Sequence, residues 1–341
     1  MTVSPASGFS GLELADPVLA ASIQSGLDRV EALLRASVRS DFNFVEQTAR
    51  HLVDAGGKRF RPMLTLLAAH LGDPAAPGVI ESAAVVELTH LATLYHDDVM
   101  DEAGVRRGAA SANARWSNAI AILTGDYLFS RASDLLADLG PEAVRIQART
   151  FSRLVTGQIR ETEGAPDGAD PIEHYQLVLA EKTGSLIAAS ARFGAMFGGV
   201  DPSQVDLLQQ YGELIGMAFQ LSDDLLDVAS DPAESGKTPG TDLREGVRTL
   251  PVLYALRPAE PAAPPDPAAD RLRGLLAGPI TDDATLAEAL GLLRRSSAMR
   301  EARAVLARYA SRARALLTSL PDAPARAALV ALADYVVART G

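Results

Sequence analysis

The sequence predicts an all-α protein, and three observations support this prediction. Alanine and leucine are abundant while aromatic residues make up 5% of the chain, a composition that favours helix. Apolar residues recur at helical spacing over 18–37 and over most later segments, and no segment shows the alternation of a half-buried strand. Asp16-Pro17 has the order of an N-cap followed by a first-turn proline, and Pro324 opens the last predicted helix in the same way.

Composition limits the function classes. The chain has 341 residues, of which 48% are hydrophobic, so it can bury a sizeable core as one large domain or two small ones. The net charge of −11 argues against nucleic acid as the main partner. The absence of cysteine excludes disulfides and thiolate metal sites and suggests the cytoplasm, and the five histidines lack zinc-site spacing. We expect no signal peptide and no transmembrane segment, because no uninterrupted apolar run is long enough to span a bilayer.

The predicted organisation is a mobile tail at 1–12 followed by one all-helical domain over 13–341. Thr183-Gly184 predicts a kink within a long helix, because glycine costs about 1 kcal/mol relative to alanine inside a helix. The predicted loops are 102–108, 164–170, 231–251 and a Pro/Ala-rich connector at 257–270. The predicted helices are 18–37, 42–54, 63–71, 81–101, 116–137, 142–159, 171–197, a segment that starts at Pro202, a segment that starts at Leu250, 284–295, 298–317 and 324–340.

The first acidic motif, His-Asp-Asp-Val-Met-Asp ending at Asp101, closes a helix that reads as buried. Residues four apart share a helix face, so Asp97 and Asp101 point the same way, with Thr93 or Leu94 and then His90 further back on that face. Carboxylates this close repel one another, and a hard divalent cation with oxygen ligands is their natural partner. Taken alone, the motif also fits a solvated acidic helix face.

A second acidic motif, Phe-Gln-Leu-Ser-Asp-Asp-Leu-Leu-Asp ending at Asp227, repeats the pattern. Asp223 and Asp227 share a helix face, and Gln220 lies one turn earlier. We interpret the two acidic ends of two apolar helices as two walls of one metal site.

Basic residues follow a similar arrangement along the chain. The segment Gly-Gly-Lys-Arg-Phe-Arg-Pro places Lys58 and Arg61 three apart, where they either clamp a phosphate group or form a basic helix start on the surface. Arg106-Arg107 is either a salt-bridge partner of the first acidic motif or a diphosphate clamp. Lys182 lies in mid-helix, where a lysine is more often solvated than functional. Lys237 lies in a long polar loop, and such loops are often functional.

These motifs occur in one order: GGKRFRP, HDDVMD, RRG, KTG, FQLSDDLLD, GK and DLREGVRTLP. The ordered set resembles the trans-isoprenyl diphosphate synthases (polyprenyl synthetases) from about Gly56 to Pro251, and the helical flanks also suit that family. The resemblance implies a large antiparallel helical bundle around a deep central cavity, assembled as a homodimer. It implies Mg²⁺-dependent head-to-tail condensation of isopentenyl diphosphate with an allylic diphosphate, and transient membrane association for product release.

The resemblance also implies roles for individual residues. Asp97 and Asp101 would hold two Mg²⁺ on the allylic diphosphate, and Asp223, helped by Asp227, would hold a third. Asp97, Asp101 and Asp223 form the catalytic set with Lys182 and Lys237. The allylic-diphosphate side would comprise Arg106, Lys182, Thr183, Gln220 and Lys237, and the isopentenyl-diphosphate side would comprise Lys58, Arg61, His90 and Arg107.

One loop departs from the family pattern. Many relatives have a lysine where this chain has Val247, and Arg248 follows directly. The contribution of this loop to diphosphate binding is therefore open.

Two other functions compete with condensation. A class I terpene cyclase ionises one prenyl diphosphate, and usually replaces the second aspartate motif with a mixed one. A non-catalytic subunit of a heteromeric synthase tends to lose an acidic motif. Both acidic motifs and the GGKRFRP segment are intact here, which favours a condensing enzyme.

Side-chain bulk upstream of Asp97 predicts the product length. Short-chain members of the family often place an aromatic residue four or five positions upstream, where this chain has Thr93 and Ala92. Thr89, a further turn back, is also modest in size. We therefore expect a medium- or long-chain all-trans product, with geranylgeranyl or farnesyl diphosphate as the alternative.

Overall fold

The computed structural model describes residues 14–230, 239–258 and 266–340. The tail predicted at 1–12 and the predicted site residue Lys237 lie outside these ranges. Sixteen α-helices occupy most of the described chain, which confirms the all-α prediction. Their bounds are α1 Pro17–Ser37, α2 Asn43–Asp54, α3 Phe60–Ala69, α4 Val79–Met100, α5 Ala112–Arg115, α6 Asn118–Leu139, α7 Pro141–Glu163, α8 Pro171–Val178, α9 Ser185–Phe197, α10 Pro202–Ala229, α11 Thr241–Glu245, α12 Leu250–Leu256, α13 Pro267–Leu275, α14 Asp283–Arg295, α15 Ser297–Leu317 and α16 Pro324–Ala338.

Local capping explains where many of these helices start. The Asp16 side chain accepts a hydrogen bond from the Leu19 amide at 2.7 Å, as the predicted N-cap requires. Asp170 caps α8 in the same way, and Pro171 follows in the first turn. Between α8 and α9 the chain forms a π-helical segment, Leu179–Gly184, where the sequence predicts a kink at Thr183-Gly184.

Three expectations from the sequence are wrong in detail. The predicted loop at 231–251 contains α11, Thr241–Glu245, which is too short for helical periodicity to be detected in the sequence. The predicted loop at 102–108 contains the first strand of a small antiparallel hairpin, β1 Val105–Arg106 paired with β2 Ala109–Ala110, although no strand is predicted. A hairpin this short is below the length at which alternation can be detected. The predicted connector at 257–270 contains the start of α13, which Asp266 caps through the amides of Ala268 and Ala269.

The chain divides into two compact units, each built from three stretches. Unit 1 comprises Met1–Ser152, Leu186–Gly212 and Leu316–Ala331, and unit 2 comprises Arg153–Ser185, Glu213–Ala315 and Leu332–Gly341. The first acidic motif lies in unit 1 and the second in unit 2. The single domain over 13–341 stays a prediction.

In unit 1, α4 is the central helix, and it packs against α1, α3 and α6. Tyr95 near its end is fully buried, and its hydroxyl donates to the Thr48 carbonyl at 2.5 Å and accepts from the Leu52 amide at 3.2 Å. Burial raises the pKa of this phenol, so it stays a neutral donor. These bonds hold α2 against the end of α4 that carries the first acidic motif.

In unit 2, one apolar stripe positions the second acidic motif. Leu221, Leu225 and Val228 of α10 are buried in a core shared with α12, α14 and α15. Asp223 and Asp227 lie off this stripe and are only partly buried. The helix therefore buries its apolar face and leaves these two carboxylates accessible.

No helix among the described residues combines the length and the apolar character needed to cross a lipid bilayer.

Candidate active site

The first acidic motif ends α4. Asp97 is half-buried in its last turn, and the side chain of Asp101, the residue after the helix, is 56% exposed. The Asp101 amide donates to the Asp97 carbonyl at 2.8 Å, which continues the helical geometry through the motif. The two carboxylates that the sequence places on one face are thus the accessible ones.

Asp98, between them, has a different role that sequence reasoning missed. It is fully buried, and its carboxylate accepts from Arg106 Nε at 2.6 Å and from the Ala112 amide at 3.3 Å. Arg106 Nη2 also lies 3.5 Å from Asp101 Oδ2. Arg106 therefore pairs with the first acidic motif, and Asp98 attaches the hairpin to the end of α4. The acidic motif therefore contains accessible aspartates and a buried, structural one, and the sequence alone does not distinguish them.

The three basic side chains of the GGKRFRP segment differ in burial and in their partners. Arg59 is buried and pairs with Glu31 and, at 2.8 Å, with Glu87. A buried ion network of this kind is structural, because removing one partner strands the other charges. Lys58 is exposed, and the guanidinium of Arg61 is left with a buried Nε that has no hydrogen-bond partner among the described residues. Lys58 and Arg61 are thus the cations of this segment that remain for a ligand.

The Arg107 side chain is held against this segment by hydrogen bonds to backbone carbonyl groups. Gly57 has φ +140°, a backbone conformation that favours glycine, and a Cβ at that position would lie 2.9 Å from the Arg107 guanidinium carbon, so another residue would force the Arg107 side chain to shift. Arg107 Nη1 donates to the carbonyls of Leu52, at 3.1 Å, and Gly56, and Nη2 lies 3.7 Å from Glu87. The predicted isopentenyl-diphosphate residues all lie in unit 1, and three of them, Arg61, His90 and Arg107, interact electrostatically.

Positive charge dominates around His90. Burial holds the pKa of His90 well below 6.5, and the charges of Arg61, Arg107, Arg59 and Arg106 lower it further. Burial also lowers the pKa of Arg61 to about 10, with Glu87 opposing the shift. At neutral pH His90 is therefore an uncharged imidazole within a cationic cluster, an environment that favours an anionic ligand.

The carboxylates of the second acidic motif, in unit 2, accept hydrogen bonds from neighbouring amides and side chains. Asp227 accepts from the amides of Thr241 and Asp242, each at 3.1 Å. Asp224 is buried and accepts from the Tyr175 hydroxyl at 2.5 Å and from Gln220 Nε2 at 3.1 Å. Asp224 thus orients the Gln220 side chain, and it is the second site residue that sequence reasoning missed.

This part of unit 2 concentrates negative charge. Burial raises the pKa of Asp224 to about 6, and Asp223 and Asp227 add to the shift while its two hydrogen bonds oppose it. Burial and the neighbouring Asp227 and Asp224 raise the pKa of Asp242 to about 7. A cation bound to this group would relieve the repulsion.

The predicted allylic-side residues of unit 2 lie on the π-helical segment and α10. Thr183 Oγ1 donates to Gln220 Oε1 at 3.4 Å, so these two predicted residues are brought together. Lys182 Nζ forms an ion pair with Glu161 of α7, so it has a partner other than water. The predicted Lys237 lies outside the described residues.

Comparison with known proteins decides the family. The family described as Polyprenyl synthetase matches residues 43–273. The chain belongs to the polyprenyl synthetase family. It is 54% identical to a nonaprenyl diphosphate synthase of Mycobacterium tuberculosis over 99% of both chains. Its structure is similar to a geranylgeranyl pyrophosphate synthase of Corynebacterium glutamicum, solved with calcium and isoprenyl diphosphate, with TM-score 0.85 and 48% identity over 96% of this chain and 99% of that one. It is also similar to a decaprenyl diphosphate synthase of Rhodobacter capsulatus, with TM-score 0.84 and 36% identity over 95% and 99% of the two chains. The protein is therefore a prenyltransferase, with the all-α fold of its family.

The donor atoms of this polyprenyl synthetase fit a hard divalent cation. Asp97, Asp101, Asp223 and Asp227 offer carboxylate oxygens, and negative charge accumulates around Asp242. Within the described residues, no three histidine or acidic side chains converge into a ready-made coordination group.

The predicted chain-length residues of the synthase differ in accessibility. Ala92 and Thr89 are fully buried, and Thr93 is half-buried with its hydroxyl bonded to the His90 carbonyl at 2.8 Å. Thr89 accepts from Nε2 of the buried Gln147 at 2.7 Å. The Ala92 carbonyl lies against α6, where a Cβ on Gly125 would be 3.0 Å from it.

Proposed function

We propose that this enzyme condenses isopentenyl diphosphate head-to-tail with an allylic diphosphate, and forms a medium- or long-chain all-trans polyprenyl diphosphate. The observation that carries the proposal is in unit 1. The cationic cluster around His90 and the accessible carboxylates of Asp97 and Asp101 lie on or against one helix, with His90 and Asp97 about 10 Å apart along its axis. An anion site and a carboxylate pair this close suit two diphosphates, one bound directly by cations and one bound through metal ions.

The allylic diphosphate is assigned to the acidic motifs. Asp97 and Asp101 would hold two Mg²⁺, and Asp223, helped by Asp227, a third. Bound Mg²⁺ would stabilise the negative charge that develops on the departing diphosphate. Arg106, Lys182 and Lys237 would add fixed positive charge for the allylic diphosphate, and the Gln220 amide and the Thr183 hydroxyl would offer it hydrogen bonds.

Isopentenyl diphosphate is assigned to the cationic cluster. Lys58, Arg61 and Arg107 would bind its phosphates, and neutral His90 would donate one hydrogen bond without adding charge. Cleavage of the allylic C–O bond would give an allylic cation and free diphosphate. The isopentenyl double bond would then attack the cation to form the new C–C bond, and the departed diphosphate would take the proton that is lost. Apolar side chains around the cation would protect it from water. No protein nucleophile is needed, because the isopentenyl double bond is the nucleophile.

One assay tests this function. The purified protein is incubated with labelled isopentenyl diphosphate, an allylic primer and Mg²⁺, and the products are dephosphorylated and separated by chromatography. We expect prenyl extension that EDTA abolishes. No extension would refute the proposal, and a cyclised product from the primer alone would indicate a terpene cyclase.

The proposed product length rests on two supports. Thr93, Ala92 and Thr89 are small, and a relative that is 54% identical to this chain is a nonaprenyl diphosphate synthase. The geranylgeranyl pyrophosphate synthase of C. glutamicum favours the shorter alternative. The same chromatography separates the two, since a wild-type product of farnesyl or geranylgeranyl length would refute the longer one.

We also infer a cytoplasmic homodimer. Ile122 and Leu123 of α6 are 43% and 61% exposed, and neighbouring large apolar side chains on a helix surface suit a second copy of the chain. Both proposed substrates are charged diphosphates, which suits a cytoplasmic enzyme, and a long apolar product would need transient contact with a membrane at release. Light scattering after size-exclusion chromatography should give twice the mass of one chain, and Leu123→Glu should lower it.

A further inference from the structure

One arginine binds the C-terminal end of the chain to the second acidic motif. Arg339, the first residue after α16, donates from Nη2 to Asp223 Oδ1 at 2.5 Å and to the Phe219 carbonyl at 3.0 Å. Its Nε donates to Ser222 Oγ at 2.6 Å, and its guanidinium carbon lies 4.3 Å from the centre of the Phe219 ring. All of these residues belong to unit 2. Several independent contacts therefore place one cation on one accessible carboxylate.

The pair is buried on one side only. The Arg339 side chain is 10% exposed, whereas that of Asp223 is 40% exposed. The carboxylate can therefore be approached from solvent while the guanidinium lies behind it, between α10 and the end of α16. A ligand for Asp223 arrives at the open side.

Charge explains why an arginine is useful at this position. Asp223 lies among Asp224, Asp227 and Asp242, which repel one another, and Arg339 contacts this group directly through Asp223. It lowers the repulsion when no metal is present. A divalent cation on Asp223 would do the same with twice the charge, and it would repel a guanidinium bonded to the same carboxylate.

We propose that Arg339 is an internal counter-ion that occupies Asp223 until a divalent cation replaces it, so that metal binding frees the C-terminal turn (residues 338–340). This proposal rests on the assignment of Asp223 as a metal ligand under the proposed function. Arg339 is then a positioning residue: it acts through Asp223, it weakens metal binding by competition, and it couples metal binding to the mobility of the chain end.

Metal affinity gives the first test. Titration calorimetry with Mg²⁺ in the presence of inorganic diphosphate is compared between the wild type and Arg339→Gln. Loss of the competing charge should tighten Mg²⁺ binding about fivefold to tenfold, where tenfold corresponds to about 1.4 kcal/mol. Arg339→Lys, which keeps the charge, should bind Mg²⁺ like the wild type or only slightly more tightly.

Arg303 offers a matched control. Its Nη2 donates to the Thr340 carbonyl at 3.1 Å, so Arg303→Ala loosens the same turn without touching Asp223. This variant should bind Mg²⁺ with wild-type affinity, because loosening alone does not remove the competing cation.

Hydrogen exchange of the wild type gives a second test that needs no variant. The peptide that ends the chain should exchange faster when Mg²⁺ and inorganic diphosphate are added, whereas binding usually slows exchange. Unchanged or slower exchange of this peptide would overturn the proposal, as would unchanged or weaker Mg²⁺ binding by Arg339→Gln.

Asp223→Asn separates this inference from the proposed function. If Asp223→Asn binds Mg²⁺ as the wild type does, then Asp223 is not a ligand and the metal assignment itself fails. If Asp223→Asn loses affinity while Arg339→Gln behaves as the wild type, then only the counter-ion proposal fails.

Discussion

Product length is the property that a single side chain on α4 should change most clearly. Thr93 lies one turn before Asp97, is half-buried, and its hydroxyl donates to the His90 carbonyl of its own helix. Thr93→Phe places a ring about 6 Å along the helix axis from Asp97. An isoprene unit is about as long as one helical turn, roughly 5.4 Å, so a ring one turn below the motif leaves room for about one further unit. We expect the major product to fall to the shortest lengths, while the first condensations continue.

Ala92→Phe tests the same part of α4, but we expect it to destabilise the fold more than Thr93→Phe does. Ala92 is fully buried, and its backbone lies against Gly125 of α6. A ring at this position should also shorten the product, but it has to enter a packed helix interface, and overpacking costs about 1–3 kcal/mol. Thermal unfolding should therefore show Ala92→Phe to be less stable than Thr93→Phe.

The assay is chromatography of dephosphorylated products made from labelled isopentenyl diphosphate. Thr93→Val is the matched control, because it removes the hydroxyl without adding bulk and should leave the product unchanged. An unchanged length distribution in folded Thr93→Phe and Ala92→Phe would eliminate α4 as the element that limits chain growth.

Three further predictions concern the metal and diphosphate sites. Asp97→Ala and Asp223→Ala should each reduce kcat by orders of magnitude, and near-normal turnover of either variant with Mg²⁺ would contradict the assignment of that residue. Asp97→Ala should lose little stability, because removing one of several clustered like charges relieves repulsion, whereas Asp223→Ala should also lower stability, because it leaves the nearly buried Arg339 without its carboxylate partner. His90→Ala should mainly raise the KM for isopentenyl diphosphate and Lys237→Ala that for the allylic substrate, and steady-state kinetics with each substrate varied would expose a reversed pattern. In EDTA, Asp242 alone should contribute a fall of roughly 2–3 kcal/mol in the free energy of unfolding as the pH rises from 5 to 8, because the folded state keeps the proton of Asp242, whose pKa is raised to about 7, after the unfolded state has lost it. Asp242→Asn should flatten this dependence in pH-dependent denaturant titrations, and an unchanged slope would exclude Asp242 as its source.

Local sequence signals determined the helices and the two acidic motifs. Asp16-Pro17, Pro171 and Pro202 start helices where their caps and fixed φ angles permit, and these effects act within one turn. The i, i+4 spacing placed Asp97 with Asp101 for the same reason, since side-chain direction in a helix depends on the helix alone. The family followed from the order of the motifs, which needs no coordinates.

Only the tertiary structure decided which neighbouring residues turn inward and what they contact. Lys58 is exposed and Arg59 is buried between Glu31 and Glu87, although the two are adjacent in sequence. Asp98 is buried and paired with Arg106, although the aspartates on either side of it in the motif are accessible. This ion pair attaches the β1–β2 hairpin, which no periodicity in the sequence predicted, to the end of α4.

Arg339 reaches Asp223 from 116 positions away in the chain. Such pairings depend on how distant helices pack, and the free energy of a charged side chain depends on the partner and the burial that packing provides. Helical periodicity specifies the face of a residue, but it carries no information about what will lie against that face.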